Sequence, residues 1–307
     1  MPFRHGKEMK SGFAAIIGRP NVGKSTLLNA FVGEKVAITA DKPQTTRNRI
    51  RGIYNGPVSP GAEEQCQIVF IDTPGITRPR NKLGTFMADQ ALKTLGDVDA
   101  ILFVTDAPLS DRGGDRFILG QLQGVGTPKF LALNKMDLLA PDVYRKAYEA
   151  YEQTGLFEEI VGTNALKQEN TDYLIRIIAA CLPEGPAYFE TGLYTDMPER
   201  FLAAEIIREK ILRYLRDEIP HGVAVEIEAF EEEPERINIS AVIYTEKKSH
   251  KGILIGKDGH TLKGIGKSAR EDLEALLGMH VRLGLWVKVK ENWRDSDFLL
   301  SSFGYRE

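Results

Sequence analysis

A glycine-rich stretch at residues 18–25, Gly-Arg-Pro-Asn-Val-Gly-Lys-Ser, constrains the fold of this chain more than any other feature. It meets every position of the phosphate-loop pattern G-x-x-x-x-G-K-[ST]. The apolar run at residues 13–17 is typical of a buried strand, and the spacing of apolar residues over Lys24–Val32 predicts a helix. A strand, a glycine-rich loop and a helix in this order form a site for phosphate groups. The sequence therefore predicts an α/β domain that binds a nucleoside triphosphate.

The residue types of this loop suit phosphate binding. Glycines let backbone N–H groups turn inward around a phosphate, and the helix N-terminus adds its partial positive charge. Lys24 can reach the outer phosphates, and the Ser25 hydroxyl can hold Mg²⁺. We expect the nucleotide to contact the whole loop and the residue after it, namely Gly18, Arg19, Pro20, Asn21, Val22, Gly23, Lys24, Ser25 and Thr26.

The length of the chain indicates how many domains to expect, and its composition indicates the cellular compartment. The 307 residues exceed the ~250–300 at which a single core usually stops growing, so we expect two domains. The net charge of −3 does not favour a nucleic-acid-binding protein on average, but an average hides local basic patches. The two cysteines, Cys66 and Cys181, are too few for a disulfide framework and fit a reducing cytosol. No run has the apolar character of a signal peptide or a membrane span. We expect a cytoplasmic protein, and peripheral attachment to a membrane would leave little trace in the sequence.

The predicted secondary structure follows two different patterns, which divide the chain into two domains. Over residues 1–182, apolar strand-like runs alternate with amphipathic helices, which predicts a mainly parallel α/β sheet flanked by helices. Residues 183–198 are rich in proline and glycine and are expected to form a linker. Residues 199–307 predict a smaller α+β domain, in which the acidic run Glu231-Glu232-Glu233-Pro234 is expected to form the turn between two antiparallel strands.

A second polar motif, Asp72-Thr73-Pro74-Gly75, follows a strand-like run in the first domain. The Asp72 carboxylate can hold Mg²⁺ through a water, and the Gly75 N–H can meet the γ-phosphate. We therefore expect the nucleotide to contact Asp72, Thr73, Pro74, Gly75 and the following Ile76.

A third motif, Asn134-Lys135-Met136-Asp137, follows another strand-like run and concerns the base. The Asp137 carboxylate can accept paired hydrogen bonds from the N1 and N2 donors of guanine, and adenine has no such donor pair. An acceptor left unpaired in the complex is penalised, which excludes the wrong base. Asn134 would steady the loop, and the Lys135 stem would lie along the base. The motif predicts GTP or GDP as the ligand.

In this order and spacing, the three motifs resemble those of the translation-factor-type GTPases. The resemblance implies a P-loop GTPase domain with a switch threonine after the first helix, where the chain carries Gln-Thr-Thr-Arg at residues 44–47. The Thr-Arg pair of related GTPases favours Thr46, and Thr45 is the alternative. The Mg²⁺ ligands implied in this way are Ser25, Thr46 and Asp72.

The same resemblance implies catalytic roles for Lys24, Thr46 and Gly75. It also implies a loop whose backbone touches the guanine, here through Asn164 and Ala165 in the run Thr-Asn-Ala-Leu-Lys at residues 163–167. Asn164 stands where serine is usual in that motif.

Water activation is expected to be weak. Many GTPases place a water-orienting glutamine directly after the switch glycine, and Ile76 occupies that position here. Intrinsic hydrolysis should therefore be slow. One hypothesis is that the Asn21 side chain helps to bind K⁺ beside the phosphates, where the ion would offset charge in the transition state. The alternative is that Asn21 only shapes the loop.

The second domain contains a different glycine-rich turn, Gly256-Lys257-Asp258-Gly259. It fits the G-x-x-G loop with which KH domains clamp about four nucleotides of single-stranded RNA. The order of elements around it, helix, two strands, helix, G-x-x-G, helix and strand, resembles a type II KH domain. Basic residues on both sides of the turn can supply affinity for phosphate, although Asp258 would repel it. We expect RNA contacts from Lys247, Lys248, Lys251, Ile255, Gly256, Lys257, Gly259, Lys263 and Lys267.

The last stretch of the second domain mixes cations with an aromatic residue. Trp293 could stack on a base and Arg294 could bind phosphate, so both are counted as RNA contacts. The alternative for Trp293 is an anchor in the core.

A GTPase domain followed by a KH domain, with these motifs, resembles the Era family of bacterial GTPases over nearly the whole chain. The resemblance implies a switch that uses GTP, GDP and Mg²⁺ and binds the 3′ end of 16S ribosomal RNA rather than DNA. It also implies a role in maturation of the 30S subunit and some association with the inner face of the membrane. Two alternatives stay open, an RNA chaperone or scaffold with a structural nucleotide site, and a GTPase that acts on a protein or a membrane.

Overall fold

The computed structural model describes residues 9–109, 114–215 and 219–305. The chain forms two compact units, each assembled from separate stretches. Unit 1 takes the residues up to Ala37, together with Thr46–Arg78 and Met87–Asp196. Unit 2 takes Ile38–Thr45, Pro79–Phe86 and the residues from Met197 onward. Two short stretches that interrupt unit 1 in sequence therefore belong to unit 2.

Unit 1 is built on a sheet of seven strands among the described residues, in the order β2-β3-β1-β4-β5-β6, with β7 added to β1. The strands are β1 (Met9–Gly18), β2 (Ile50–Pro57), β3 (Gln65–Asp72), β4 (Ala100–Thr105), β5 (Lys129–Leu133), β6 (Glu159–Gly162) and β7 (Glu184–Gly185). Strands β1, β3, β4, β5 and β6 are parallel, whereas β2 and β7 are antiparallel to their neighbours. The expected mainly parallel α/β sheet is confirmed.

Helices of unit 1 cover this sheet. They are α1 (Lys24–Val32), α2 (Lys82–Lys93), whose first residues belong to unit 2, α3 (Gly114–Leu122), α4 (Pro141–Glu152) and α5 (Thr171–Cys181). Strand side chains such as Ile17, Phe103 and Leu131 pack with Ile118 of α3 and Tyr151 of α4 in a buried cluster. This burial of apolar surface holds the strand ends in place.

The sheet brings the motifs of the first domain to one edge. The phosphate loop follows β1, Asp72 ends β3, Asn134 follows β5 and Thr163 follows β6. Because these strands are parallel, their carboxyl ends lie along the same edge, where α/β sheets usually bind ligands. The fold therefore gathers residues that are more than a hundred positions apart in sequence.

Unit 2 contains a three-stranded sheet in the order β10-β9-β8, with β8 and β9 antiparallel and β9 and β10 parallel. Its elements are α6 (Glu199–Tyr214), β8 (Val223–Glu233), β9 (Arg236–Thr245), α7 (Lys248–Ile255), α8 (His260–Leu277), β10 (His280–Val289) and α9 (Asp297–Ser302). Ile207 of α6, Ile239 of β9 and Ile265 of α8 belong to its buried core. The element order expected of a type II KH domain is confirmed. In the part of the chain that the structure describes, no helix has both the length and the apolarity to cross a bilayer.

Glu231, Glu232 and Glu233 lie in a strand, so the expectation of a turn was wrong for them; Pro234 does lie in the turn that follows. Glu231 and Glu233 lie in β8, opposite Asn238 and Arg236 of β9. The Glu233 carboxylate accepts hydrogen bonds from Arg236 Nε (2.9 Å) and Asn238 Nδ2 (2.5 Å), which offsets the local negative charge. These exposed glutamates extend the hairpin into solvent.

The proline- and glycine-rich segment before Met197 is hydrogen-bonded to β2 and β3 of unit 1, to which it belongs. The buried Gln67 amide donates to the Phe189 carbonyl (2.9 Å) and accepts from the Tyr188 N–H (2.7 Å). Farther along, the Ile53 N–H donates to the Tyr194 carbonyl (2.8 Å). The segment is therefore held along strands of unit 1 up to Asp196, and the linker expected at residues 183–198 stays a prediction.

Candidate functional site

The glycines of the phosphate loop are required by close approaches. A Cβ atom at Gly18, where φ is 152°, would lie 2.2 Å from the Val104 carbonyl oxygen. A Cβ atom at Gly23, where φ is 98°, would lie 2.2 Å from Asn134 Nδ2. Both distances are shorter than a Cβ atom tolerates, and both φ angles favour glycine. The loop thus packs closely against Val104 of β4 and against Asn134, which follows β5.

Lys24 lies in the first turn of α1 and is buried, with 5% of its surface exposed. Its Nζ donates to the Arg19 carbonyl at 2.9 Å. Burial lowers the pKa of Lys24 to about 8, and the nearby Asp72 carboxylate acts in the opposite direction. A phosphate beside this ammonium would favour its charged form, so the position suits an anionic ligand.

Three side-chain oxygens converge beside the loop. The Ser25 hydroxyl donates to Asp72 Oδ2 (2.5 Å) and lies 2.8 Å from the Thr46 hydroxyl, which donates to the same carboxylate oxygen at 3.1 Å. Asp72 is fully buried, and burial raises the pKa of its carboxyl group. Its Oδ1 is buried with no hydrogen-bond partner among the described residues. Such a set of oxygens fits a small, hard cation such as Mg²⁺.

The structure separates the two candidate switch threonines. Thr46 contacts Ser25 and Asp72, as just described, whereas the Thr45 hydroxyl donates to the carbonyls of Ala40 (3.1 Å) and Lys42 (2.6 Å). Thr46 is therefore the threonine that could hold the same metal ion as Ser25 and Asp72.

The segment after Asp72 passes close to the phosphate loop. A Cβ atom at Gly75 would lie 2.6 Å from the backbone nitrogen of Pro20, and the Ile76 N–H donates to the Gly18 carbonyl at 3.1 Å. The Thr73 hydroxyl donates to the Ile16 carbonyl at 2.9 Å. The Ile76 side chain is fully buried in the core of unit 1. It therefore cannot orient a water molecule, as its apolar character also implies.

Asn134 connects three loops at the edge of the sheet. Its Nδ2 donates to the Val22 carbonyl (2.8 Å), and its Oδ1 accepts from the Ala165 N–H (3.0 Å) and the Thr163 hydroxyl (3.3 Å). The expected loop-steadying role of Asn134 thus has a geometric basis. Asp137 lies exposed in the short 3₁₀ turn Met136–Leu138, where its carboxylate is accessible to a base.

Two further residues of the base motifs are held by side-chain contacts. Lys135, with φ at 57°, donates from Nζ to the Asn21 carbonyl (2.6 Å) and to Asp106 (3.0 Å). Asn164 accepts a hydrogen bond from the Lys167 N–H at 3.2 Å, and its Nδ2 is buried with no partner among the described residues. The amide that replaces the usual serine thus has a donor that a ligand could satisfy.

A pair of carboxylates that was not expected from the sequence holds Arg19 of the phosphate loop. The Arg19 guanidinium pairs with Asp106 (3.0 Å) and Asp115 (2.8 Å). The buried Asp115 also accepts from the hydroxyls of Thr105 and Tyr151, each at 3.1 Å. Asp106 follows β4 at the ligand-binding edge, and that placement is the one signal that could have identified it. The Arg19 side chain is thus engaged within the protein, which leaves its backbone for the expected nucleotide contact.

The G-x-x-G turn of unit 2 lies between α7 and α8. Gly256 has φ at 74°, and a Cβ atom there would lie 2.3 Å from the Thr261 hydroxyl, so glycine is required. Lys257 and Asp258 are exposed at the tip, and Ile255 is half-buried against the core. The lysines that flank the turn are exposed except for the half-buried Lys251; they are Lys247, Lys248, Lys251, Lys263 and Lys267. The predicted basic surface is thus present around the turn.

Trp293 is a core anchor, so its interpretation as a base-stacking residue was wrong. The side chain is fully buried, and its Nε1 donates to the Gly222 carbonyl at 3.0 Å. Its ring packs against Phe303 (5.6 Å between centroids) and Tyr305 (5.8 Å). The neighbouring Arg294 is half-exposed and pairs with Glu246.

Comparisons with known proteins find a matching family for each of the two units. Residues 13–135 match a family described as 50S ribosome-binding GTPase, and residues 218–294 match the KH domain family. The chain is 55% identical to GTPase Era of Alkaliphilus oremlandii over 298 residues, which cover 96% of this chain and 99% of the relative. It is 54% identical to GTPase Era of Clostridioides difficile over 301 residues, or 97% of this chain and 99% of the relative.

Two solved structures are similar over their whole length. One is a variant of Aquifex aeolicus Era bound to GDP and AlF₄⁻, with 40% identity, a TM-score of 0.91, and coverage of 97% of this chain and 100% of the other. The second is Era in complex with MgGDPNP and nucleotides 1506–1542 of 16S ribosomal RNA, with 39% identity, the same TM-score of 0.91 and the same coverage of 97% and 100%.

Proposed function

Because this chain belongs to the Era family of GTPases, we propose that it is a GTP-hydrolysing switch that binds the 3′ region of 16S ribosomal RNA and assists maturation of the 30S subunit. The observation that carries the proposal is its similarity, over both whole chains, to an Era structure that holds a GTP analogue, magnesium and this RNA. The motifs of unit 1 and the basic turn of unit 2 support it independently.

For the nucleotide, we assign roles to the residues that converge at the edge of the sheet. Lys24 binds the outer phosphates, Gly75 donates its N–H to the γ-phosphate, and Ser25, Thr46 and Asp72 hold Mg²⁺. The metal supplies neutralisation of charge on the phosphate oxygens. The buried, unpartnered Oδ1 of Asp72 supports this assignment, because a buried carboxylate oxygen is costly unless a ligand satisfies it.

Hydrolysis is expected to be slow without an external group, since Ile76 has no polar atom for a water. We propose that K⁺, bound with help from the exposed Asn21 side chain, raises the rate. Turnover of the purified protein should then be higher in KCl than in NaCl, and Asn21→Ala should remove the difference. Equal turnover in the two salts would show that Asn21 only shapes the loop.

For the RNA, we propose that the tip of the G-x-x-G turn binds the phosphate backbone. The decisive variant is Lys257→Asp, because Lys257 is exposed and both glycines of the turn are kept. Its matched control is Lys146→Asp, the same charge reversal at an exposed position of α4 in unit 1. We expect Lys257→Asp to weaken binding of a 16S 3′-terminal fragment by about 10-fold or more, with a shallower salt dependence.

The measurement is fluorescence anisotropy of the labelled RNA fragment at several salt concentrations. The control variant should bind as the unmodified protein does. If both variants bind equally well, the turn is not the RNA site, and a GTPase that acts on a protein or a membrane becomes the better interpretation. Undetectable GTP turnover with the RNA present would instead favour a chaperone or scaffold with a structural nucleotide site.

The two activities are proposed to be coupled. GTP and Mg²⁺ would order the segments around Thr46 and Gly75, and hydrolysis would release them and change RNA binding. Equal RNA affinity with GDP and with a non-hydrolysable GTP analogue would refute the coupling, because a ligand that favours neither state shifts nothing.

The family resemblance further supports a cytoplasmic location with peripheral association at the inner face of the membrane. Co-sedimentation of the protein with anionic phospholipid vesicles tests this association, and recovery in the supernatant at low salt would count against it.

A further inference from the structure

Helix α6 buries charged side chains as well as apolar ones. One side carries Ile207 and Ile211, which pack in the core of unit 2. Glu205, Arg208 and Glu209 lie on another side of the helix, and each is at most 7% exposed. Charged groups are rarely buried to this degree without partners. Another part of the chain must therefore cover this charged side.

The cover is the stretch Ile38–Thr45, which belongs to unit 2. The Glu209 carboxylate accepts from the Thr39 N–H at 3.0 Å and from Arg213 at 2.9 Å. At the other end of α6, the Lys42 ammonium donates to the Leu215 carbonyl. The backbone of this stretch is thus fixed to α6 at several points.

Arg208 contacts the last two residues of the stretch Ile38–Thr45. Its Nε donates to Glu205 Oε1 at 2.8 Å and its terminal nitrogen to Glu205 Oε2, so Glu205 orients the guanidinium. The two terminal nitrogens also donate to the carbonyls of Gln44 (3.2 Å) and Thr45. Only a planar, forked cation can satisfy a carboxylate and two carbonyls together in this way.

The second of these carbonyls belongs to the peptide bond that joins Thr45 to Thr46. The chain passes from unit 2 to unit 1 at this bond, and Thr46 is buried with its hydroxyl beside Ser25 and Asp72. A shift of the Thr45 carbonyl therefore shifts the Thr46 backbone directly, because the peptide group is planar.

We propose that Arg208, oriented by Glu205, is a positioning residue for the GTPase reaction, which holds the Thr45–Thr46 peptide so that the Thr46 hydroxyl stays at the Mg²⁺ site. Arg208 is not among the residues assigned above to the nucleotide or to Mg²⁺. The inference rests on the role proposed above for Thr46. It assigns part of the hydrolytic machinery to a helix of the RNA-binding unit.

The test is a double-mutant cycle of Arg208→Lys and Thr46→Ala. Lysine keeps the charge but cannot bridge both carbonyls and Glu205, so we expect kcat for GTP to fall by about 10- to 100-fold, since misplacement by about 1 Å can cost about 10²-fold. The Mg²⁺ concentration for half-maximal activity should rise. The affinity for GDP without Mg²⁺, which depends on other residues, should stay within about twofold.

The matched control is Arg200→Lys. Arg200 is also an arginine of α6 that donates to two backbone carbonyls, but these belong to Ile227 (2.5 Å) and Glu228 (3.0 Å) of β8. The same substitution there should leave kcat and the Mg²⁺ requirement unchanged. If Arg208→Lys does not fold, Glu205→Gln replaces it, since this variant keeps Arg208 and weakens its orientation.

The outcomes separate the inference from the proposed function. In the Thr46→Ala background, the Arg208 or Glu205 substitution should change kcat by less than about twofold, because the two residues act in one unit. Additive effects, or an Arg208 variant with unchanged kcat, would overturn the inference and leave the role of Thr46 intact. A Thr46→Ala variant with unchanged hydrolysis would overturn the proposed role of Thr46 and this inference with it.

Discussion

Replacing Trp293 by phenylalanine tests the structural role of this residue against the RNA-stacking role that the sequence also allowed. The indole Nε1 donates to the buried Gly222 carbonyl, and leaving such a carbonyl unpaired costs ~1–3 kcal/mol. The smaller ring loses part of the packing against Phe303 and Tyr305, which we set at ~1 kcal/mol. Trp293→Phe should therefore lower the free energy of unfolding of unit 2 by about 2–4 kcal/mol.

The assay is urea denaturation followed by far-UV circular dichroism, with Trp286→Phe as the matched control. Trp286 lies in β10 of the same unit but is 52% exposed, so its replacement should change the free energy of unfolding by less than ~0.5 kcal/mol. Since the chain has two tryptophans, each variant leaves one as a fluorophore. Trp293 should emit at shorter wavelength and resist acrylamide, whereas Trp286 should be quenched.

The opposite pattern would refute the reasoning. If Trp293→Phe unfolds like the unmodified protein and loses affinity for the 16S 3′ fragment, Trp293 stacks on a base. Equal quenching of the two tryptophans would show that the aromatic packing around Trp293 is wrong.

Three further predictions concern unit 1. Cys66 is buried and burial raises its pKa to about 12, so iodoacetamide should modify only the exposed Cys181 at pH 8 until the protein is denatured, as mass spectrometry would show. Asp137→Asn should weaken GTP binding by about 10²–10⁴-fold, from the loss of two charge-assisted hydrogen bonds, and should improve binding of xanthosine triphosphate, as calorimetry would measure. Gly52→Ala should lower the free energy of unfolding by about 1–3 kcal/mol, because its Cβ would lie 2.6 Å from Leu28 Cδ1, and unchanged thermal stability would contradict this.

The features that could be predicted from the sequence are those with a local signature. The phosphate loop, the helix Lys24–Val32 and the strands of the sheet follow from spacing and apolar runs over a few residues. The G-x-x-G turn could be placed because the order of helices and strands around it is itself a pattern. The KH-like order of elements and the GTPase motifs could therefore be predicted from the sequence.

The features that could not be predicted depend on contacts between distant residues. The pairing of Arg19 with Asp106 and Asp115 spans 87 and 96 positions and has no local pattern. The family resemblance favoured Thr46, but separating it from Thr45 required the side-chain contacts of two adjacent residues in an irregular segment. Glu231 to Glu233 lie in a strand although acidic residues are poor strand formers, and the hydrogen bonds from Arg236 and Asn238 to Glu233 offset that preference.

The membership of Ile38–Thr45 in unit 2 has a consequence for the order in which a new chain becomes functional. The phosphate loop leaves the ribosome early, whereas α6 begins at Glu199. At synthesis rates of about 5–20 residues per second, the stretch that leads into Thr46 waits roughly 10–30 s for the helix that supports it. A nascent chain therefore completes the residues proposed to bind the nucleotide, which end at Ala165, before α6 can hold the switch segment. On the proposal made for Arg208, full hydrolytic activity is acquired only once α6 has been made.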